Sequence, residues 1–245
     1  MAAQTSNKQR SVPTLEVLAT GSSGNSYILR CGGDILLLEC GIHFKEVLMS
    51  LDYDITGVQG VLVTHKHGDH AKYILEYKRF FRVYGNRETP NVLRLEAQKK
   101  YKMGNFKVIP FEVPHQDCLC FAYVIYHPLI GYTLFCTDAE CFPYSFPPRL
   151  SNIIIESNYI TEIVFERLAR GEEVRSNYRS HMELKETIRT VSNLSSNFLR
   201  NVILIHRSKD NFYSQMARNE FLKDLCMEPH IAKSGDVINL GECDY

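Results

Sequence analysis

A histidine-rich segment at residues 64–70 constrains this chain more than any other feature of its sequence. It reads Thr-His-Lys-His-Gly-Asp-His and directly follows an apolar run at residues 61–63. A strand that ends at this run delivers the next side chains into a tight turn, where three imidazoles and one carboxylate can converge. Because imidazole and carboxylate are donors that divalent metal ions prefer, and no cysteine suggests a closed thiolate site, the segment predicts a metal site. Its candidate ligands are His65, His67, Asp69 and His70.

The H-x-H-x-D-H spacing of this segment resembles the signature of the metallo-β-lactamase superfamily. In that family two metals lie at the edge of a β-sandwich and are held by this loop and by later strand ends. The resemblance implies that His65 and His67 bind the first metal. It implies that Asp69 and His70 bind the second.

The resemblance also implies three later ligands: a histidine, an aspartate that bridges both metals, and a last histidine. The chain has a candidate for each, and each follows an apolar run typical of a strand, at residues 106–113, 131–137 and 201–205. The three candidates are His115, Asp138 and His206.

The composition is compatible with one folded domain of mixed secondary structure. A chain of 245 residues with 44% hydrophobic content can bury a sizeable core. The pattern predicts early strands at 15–20, 26–30 and 34–39 and helices at 43–51, 70–81, 90–101, 160–170, 182–193 and 212–225. The resemblance implies an α+β fold, a four-layer αβ/βα sandwich. We expect a flexible N-terminal tail at residues 1–12 and a single metallo-β-lactamase-like domain at residues 13–245.

The sequence predicts a cytoplasmic protein without a membrane segment. No apolar run approaches the roughly 18 residues of a membrane-spanning helix. The first ten residues lack the apolar core of a secretory signal. The eight cysteines are scattered, mostly within apolar segments, so we expect reduced thiols rather than disulfides.

A glycine- and serine-rich loop at residues 21–26 lies between two predicted strands. Its backbone N–H groups and the side chains of Ser22, Ser23 and Asn25 could face an anionic group of a substrate. An ordinary glycine-rich hairpin turn is the alternative. With the histidine segment, the loop resembles the YycJ (WalJ) branch of the superfamily, proposed to be metal-dependent DNA exonucleases. Elements at residues 153–158, 180–183 and 206–211 extend that resemblance over nearly the whole chain.

The chain departs from this branch at two positions near the implied site. Glu39 stands where the family usually carries aspartate, so its contact to the metal loop would have to be rearranged. The sequence Ser180-His181-Met182-Glu183 lacks the hydroxyl that the family carries two residues after the histidine. This difference weakens the assignment of His181 to a phosphate contact.

Residues 72–107 are strongly basic although the whole chain has no net charge. They contain ten lysines and arginines against three glutamates, with aromatic residues in between. Such a segment could bind phosphates and stack on bases. A solvated surface over ordinary core aromatics is the alternative.

These features together predict a hydrolase that uses two divalent metal ions, zinc, manganese or iron. A water shared by the ions would become a hydroxide near neutral pH and attack the substrate, with Asp138 bridging the ions. Asp69 would orient the hydroxide, and His181 would stabilise charge or protonate the leaving oxygen.

The favoured substrate is DNA, cleaved as a phosphodiester by an exonuclease. The first alternative is a small-molecule hydrolase of the same fold: a lactonase, a thioesterase or a cyclic phosphodiesterase. A non-catalytic binding module is disfavoured, because all seven implied ligands are present.

Overall fold

Two seven-stranded sheets form the centre of the computed structural model, which describes residues 12–116, 118–145, 149–174, 178 and 180–242. The first sheet contains, in order across it, β14 (Val237–Asn239), β1 (Thr14–Ala19), β2 (Ser26–Cys31), β3 (Asp34–Leu38), β4 (Val58–Leu62), β5 (Val83–Gly85) and β6 (Leu93–Arg94). The second contains β13 (His230–Ile231), β12 (Asn201–Ile205), β11 (Leu150–Glu156), β10 (Gly131–Cys136), β9 (Cys120–His127), β8 (Phe106–Val113) and β7 (Tyr101–Met103).

Helices cover the outer faces of both sheets. They are α1 (Phe44–Ser50), α2 (Gly68–Ala71), α3 (Ile74–Tyr77), α4 (Thr161–Ala169), α5 (Leu184–Leu194) and α6 (Ser214–Leu225). One apolar cluster joins the facing sheets, including Leu36 from the first and Phe135 from the second. Two further clusters lie between a sheet and its helices, with Val47 of α1 in one and Phe221 of α6 in the other. The predicted α+β fold of four layers is confirmed.

Burial on both faces explains why the central strands have nearly continuous apolar sequences. Every residue of β11 is buried, and so are four of the five residues of β12. A strand packed on both faces cannot alternate between apolar and polar side chains. The strands expected at 15–20, 26–30, 34–39, 106–113, 131–137 and 201–205 are confirmed within one or two residues.

Two of the six predicted helices are wrong or only partly right. Residues 90–101 form no helix: they contain β6, and both Asn91 and Gln98 have positive φ angles. A positive φ interrupts any right-handed helix. The stretch 70–81 contains only the single turns α2 and α3, separated where the Tyr73 N–H donates to the carbonyl of Cys40. The other four predicted helices are confirmed.

Strand direction places one edge of the molecule in position for a site. Strands β10, β11 and β12 are parallel, and β8 runs in the same direction because both it and β10 pair antiparallel with β9. In the first sheet β3 and β4 are also parallel. Parallel strands end at the same edge of a sheet, so the residues that follow them are brought together.

Several sequence-based expectations concern properties outside the fold itself. Among the described residues, no helix combines the length and the apolar character needed to cross a bilayer. The seven described cysteines carry free thiols. Apart from Val12, the predicted N-terminal tail lies outside the described residues, and so does Cys243. A single domain over 13–245 stays a prediction.

Candidate metal centre

The histidine segment and three strand ends meet at this edge. Thr64 to His70 follow β4, His115 follows β8, Asp138 follows β10 and His206 follows β12. All seven side chains implied by the sequence are therefore brought together, in two clusters that could hold metal ions.

Three histidines form the first cluster. Nδ1 of His67 lies 3.0 Å from Nε2 of His65 and 3.1 Å from Nε2 of His115. Cys118 also lies here, and the donor atoms of the four residues are all within 4.8 Å of one another. Three imidazole nitrogens that converge on one point match the donor set of a divalent metal ion.

Two carboxylates and two histidines form the second cluster. Nε2 of His70 lies 3.3 Å from Oδ2 of Asp69 and 3.3 Å from Oδ1 of Asp138. Nε2 of His206 lies 3.6 Å from Oδ2 of Asp69. The other oxygen of Asp138, Oδ2, lies 3.8 Å from Nε2 of His65 in the first cluster. Asp138 therefore stands between the two clusters with one oxygen facing each.

A buried nitrogen atom without a hydrogen-bond partner supports this interpretation. Nε2 of His206, which faces Asp69 of the second cluster, is inaccessible to solvent and has no hydrogen-bond partner among the described residues. Burial disfavours a charged imidazole, yet the neighbouring Asp138, Asp69 and Glu156 outweigh burial and raise the pKa of His206 to about 10. Such strong negative potential around a buried imidazole fits a bound cation, and the donor sets of both clusters fit divalent metals.

Glu39 contacts the second cluster despite its extra methylene. Its Oε2 lies 3.5 Å from Nδ1 of His70 and accepts a hydrogen bond from the N–H of Thr64 at 3.3 Å. Glu39 is fully buried and has a φ of 71°. The longer side chain therefore reaches the metal loop from a left-handed backbone position.

The residues of the glycine- and serine-rich loop differ in burial. Ser22 and Ser23 are exposed and line a cavity. Asn25 is fully buried instead, with Nδ2 3.0 Å from Nε2 of His70 and Oδ1 accepting the N–H of Gly21. The structure thus places Asn25 behind the loop, where it ties the loop to the histidine segment, and not on the cavity wall.

Glu156, at the end of β11, joins the site although the sequence analysis gave it no role. One of its oxygens, Oε1, lies 2.7 Å from Nδ1 of His181 and 2.8 Å from Nδ1 of His206. The other accepts the backbone N–H groups of Ala139 and Met182. Burial alone would disfavour the charged imidazole, but the Glu156 charge and hydrogen bond raise the pKa of His181. A fully buried glutamate requires such partners. A glutamate directly after three isoleucines was the signal that could have found it.

A polar cavity of about 510 Å³ opens beside the second cluster. Its wall includes His181 and His206, hydroxyl groups of the 20–23 loop, the cationic side chains of Arg167, Arg207 and Lys209, and the carboxylates of Glu173 and Asp210. Arg167 is bonded to Glu172 and Asn211. Arg207 donates from one Nη to the carbonyl of Ala232, and its guanidinium lies over the ring of Phe212. Among the described residues it has no carboxylate within ion-pair distance, and its Nε has no hydrogen-bond partner. No acidic side chain therefore competes with an anion for Arg207.

The basic segment 72–107 contributes no residue to the cavity wall. All ten of its cationic side chains are exposed, whereas Tyr77 and Phe106 are fully buried in the core. Among its aromatic residues only Phe80 is exposed, to 55%. Most of these rings therefore pack in or against the core, as expected if the segment is a solvated surface over ordinary core aromatics.

Comparison with known structures decides the fold. The metallo-β-lactamase fold protein YhfI from Bacillus subtilis superimposes with a TM-score of 0.71 over 93% of this chain and 99% of YhfI, at 16% identity. The chain has the metallo-β-lactamase fold. Yeast PDE1 also shares it, with a TM-score of 0.69, 12% identity, and coverage of 93% of this chain and 99% of PDE1.

Sequence similarity to known proteins with this fold is confined to part of the chain. A family model described as anti-Pycsar protein Apyc1 matches residues 17–102. Apyc1 of Paenibacillus xerothermodurans is 35% identical over 69 residues, which are 26% of this chain and 28% of Apyc1. The exodeoxyribonuclease YycJ of Bacillus anthracis is 35% identical over 82 residues, 31% of each protein. The matched segments thus span about a third of these relatives or less.

Proposed function

We propose that this chain is a metal-dependent phosphodiesterase whose substrate is a phosphodiester of nucleotide size. The observation that carries the proposal is the position of the cavity. Its wall includes His206 of the second cluster, His181, which shares Glu156 with His206, and the cation Arg207, which has no carboxylate partner among the described residues. An anionic group bound in the cavity would therefore lie next to the metal centre.

The clustered residues fit two divalent ions. His65, His67 and His115 would hold the first ion, Asp138 would contact both, and the remaining ligands of the second would be Asp69, His70 and His206. Divalent ions there would supply an activated water and stabilise charge on the phosphoryl oxygens. Zinc, manganese and iron all suit imidazole and carboxylate donors.

The residues of the chain itself would bind the substrate and transfer a proton. Arg207 would bind a phosphate oxygen, and the hydroxyl groups of Ser22 and Ser23 would donate hydrogen bonds to the same group. Because Nδ1 of His181 is held by Glu156, Nε2 is the nitrogen left to protonate the leaving oxygen. Asp69 would accept a hydrogen bond from the attacking water and so orient it.

The size and lining of the cavity favour a compact nucleotide, such as a cyclic one, over a polymer. Its volume lies within the range of about 300–1,000 Å³ that small-molecule sites occupy. The match of residues 17–102 to the model of the anti-Pycsar protein Apyc1 supports the same choice. A lactone or thioester has no phosphate for Arg207 to bind and is less favoured.

DNA, the first choice from sequence, becomes the second candidate. The exposed cations of residues 72–107 and the similarity to the exodeoxyribonuclease YycJ support it. DNA ranks below the compact nucleotide because no residue of this basic segment lines the cavity.

The test is hydrolysis by metal-free protein reconstituted separately with zinc, manganese and iron. The substrates would be 3′,5′-cyclic nucleotides, bis(p-nitrophenyl) phosphate, end-labelled single- and double-stranded DNA, and a lactone. We expect cyclic nucleotides to be opened at the highest rate, and we expect this activity to disappear in the His67→Ala variant. Turnover of DNA alone would select the exonuclease, and turnover of lactones alone would exclude the phosphodiesterase.

A further inference from the structure

The three histidines of the first cluster each have one ring nitrogen facing the others and one facing away. The inward atoms are Nε2 of His65, Nδ1 of His67 and Nε2 of His115. A histidine that binds a metal through one nitrogen holds its orientation and tautomer through the partner of the other. The outer partners therefore decide which nitrogen each imidazole offers.

Two of the outer nitrogens contact oxygen atoms. Nδ1 of His65 lies 3.0 Å from the hydroxyl oxygen of Thr64, and Sγ of Cys120 lies 3.8 Å from the same nitrogen. Nδ1 of His115 lies 3.2 Å from the carbonyl oxygen of Ser180 and donates to it when protonated there. Both contacts leave Nε2 facing the cluster.

The outer nitrogen of His67 contacts sulfur instead. Its Nε2 lies 3.9 Å from Sγ of Cys118, and no oxygen atom of the described residues is within hydrogen-bond distance of it. Cys118 and His115 belong to the same connection between β8 and β9, so one loop contributes both a cluster member and this contact.

We propose that Cys118 is the positioning residue of His67. Its sulfur accepts a hydrogen bond from Nε2–H and keeps Nδ1 turned toward the first metal position. The proposal rests on the metal centre described above but not on the identity of the substrate.

Titration of metal-free protein with Co²⁺ tests the proposal without any substrate. The variants are Cys118→Ala, which removes the acceptor, and Cys118→Ser, which keeps one. His67→Ala identifies the binding step that belongs to the first position. Cys141→Ala is the matched control, because Cys141 is another half-buried free thiol and lies near Glu186 and Arg189, away from the clusters. Circular dichroism of each metal-free variant checks that it is folded.

We expect Cys118→Ala to weaken Co²⁺ binding at the first position by about 10–100-fold, the usual effect of removing an outer partner. Cys118→Ser should restore most of the affinity, and Cys141→Ala should match the unsubstituted protein. The cobalt spectrum of the unsubstituted protein should lack an intense near-ultraviolet thiolate charge-transfer band.

Two results would overturn the proposal. Unchanged Co²⁺ affinity in Cys118→Ala would show that His67 needs no sulfur partner. A thiolate charge-transfer band that Cys118→Ser abolishes would make Cys118 a direct ligand. Failure of every variant and of the unsubstituted protein to bind Co²⁺ would instead reject the metal centre, and with it the proposed function.

Discussion

Residues 17–102, which match the family model, and residues 158–211, which supply most of the cavity wall, contribute differently to the candidate site. The first region carries four of the seven clustered ligands, all within the histidine segment. The second carries His206, the histidine His181 and the cation Arg207. Sequence similarity thus covers most of the metal centre but little of the surface that a substrate would touch.

The difference teaches which properties similarity can transfer. Metal ligands must lie at short, fixed distances, so their spacing in sequence is tightly constrained. A cavity wall can be built by many loop sequences, and the same fold therefore serves many substrates. Removing a metal ligand should abolish all activity, whereas changes in the cavity should affect substrates unequally.

The largest expected effect is that of His67→Ala in the first region. It removes an inward-facing nitrogen of the first cluster, so we expect hydrolysis of every substrate to fall by more than the roughly 100-fold that loss of an outer partner can cost. Metal content per protein, measured by mass spectrometry, should fall by one ion. His43→Ala is the control, because His43 is exposed and bonded to Glu76. If His67→Ala lost different fractions of its activity on different substrates, the contrast between the metal-ligand region and the cavity-wall region would be contradicted.

His181→Ala, in the second region, should show the next largest effect and a dependence on the leaving group. Loss of a proton donor costs about 10²–10⁴-fold when the leaving oxygen is strongly basic. We therefore expect a loss of that size on cyclic nucleotides and a much smaller one on bis(p-nitrophenyl) phosphate, whose leaving group needs no proton. Equal losses in kcat on both substrates would contradict the role of His181.

Arg207→Ala should lower kcat/KM for anionic substrates by about 10–100-fold. A hydrogen bond to a charged group contributes about 1.5–3 kcal/mol, and about 1.4 kcal/mol corresponds to a factor of ten. Metal content should not change. Arg218→Ala provides the control, since Arg218 is paired with Glu228 and is absent from the cavity wall. An unchanged KM and kcat would remove Arg207 from substrate binding.

The smallest effect on a compact substrate should come from the basic segment. In the double variant Lys100→Ala and Lys102→Ala, we expect cyclic-nucleotide hydrolysis to change by less than about twofold, because neither exposed side chain lines the cavity. If DNA binds to this surface, the slope of log affinity against log salt should become shallower by about 1.4 for single strands. An unchanged slope would remove the main support for DNA.

The fold and the metal ligands could be predicted from sequence because each depends on a local pattern. A histidine segment after an apolar run needs only strand direction to become a cluster, and His115, Asp138 and His206 follow by the same rule. The failed helix at 90–101 depends on backbone angles at Asn91 and Gln98 that the apolar periodicity does not encode.

The rest of the site depends on contacts between distant segments. Glu156 bonds His181 and His206 across gaps of 25 and 50 residues, and no local pattern reveals such a pair. Asn25 looked like a substrate contact because its loop is polar, yet it packs under the histidine segment 45 residues away from His70 in sequence. The cavity combines loops from both regions, so neither region predicts its shape alone.

The pairing of β14 with β1 has a consequence for how the chain folds. Thr14 pairs with Asn239, so the first sheet is completed by a strand from the far end of the described chain. Contacts between segments so distant in sequence form slowly, because the intervening chain must first be ordered. During synthesis the histidine segment would emerge long before this edge closes. The second cluster also needs His206, which follows β12, so a metal ion there would bind only after most of the chain has been made. It would then stabilise a nearly folded domain rather than start its folding.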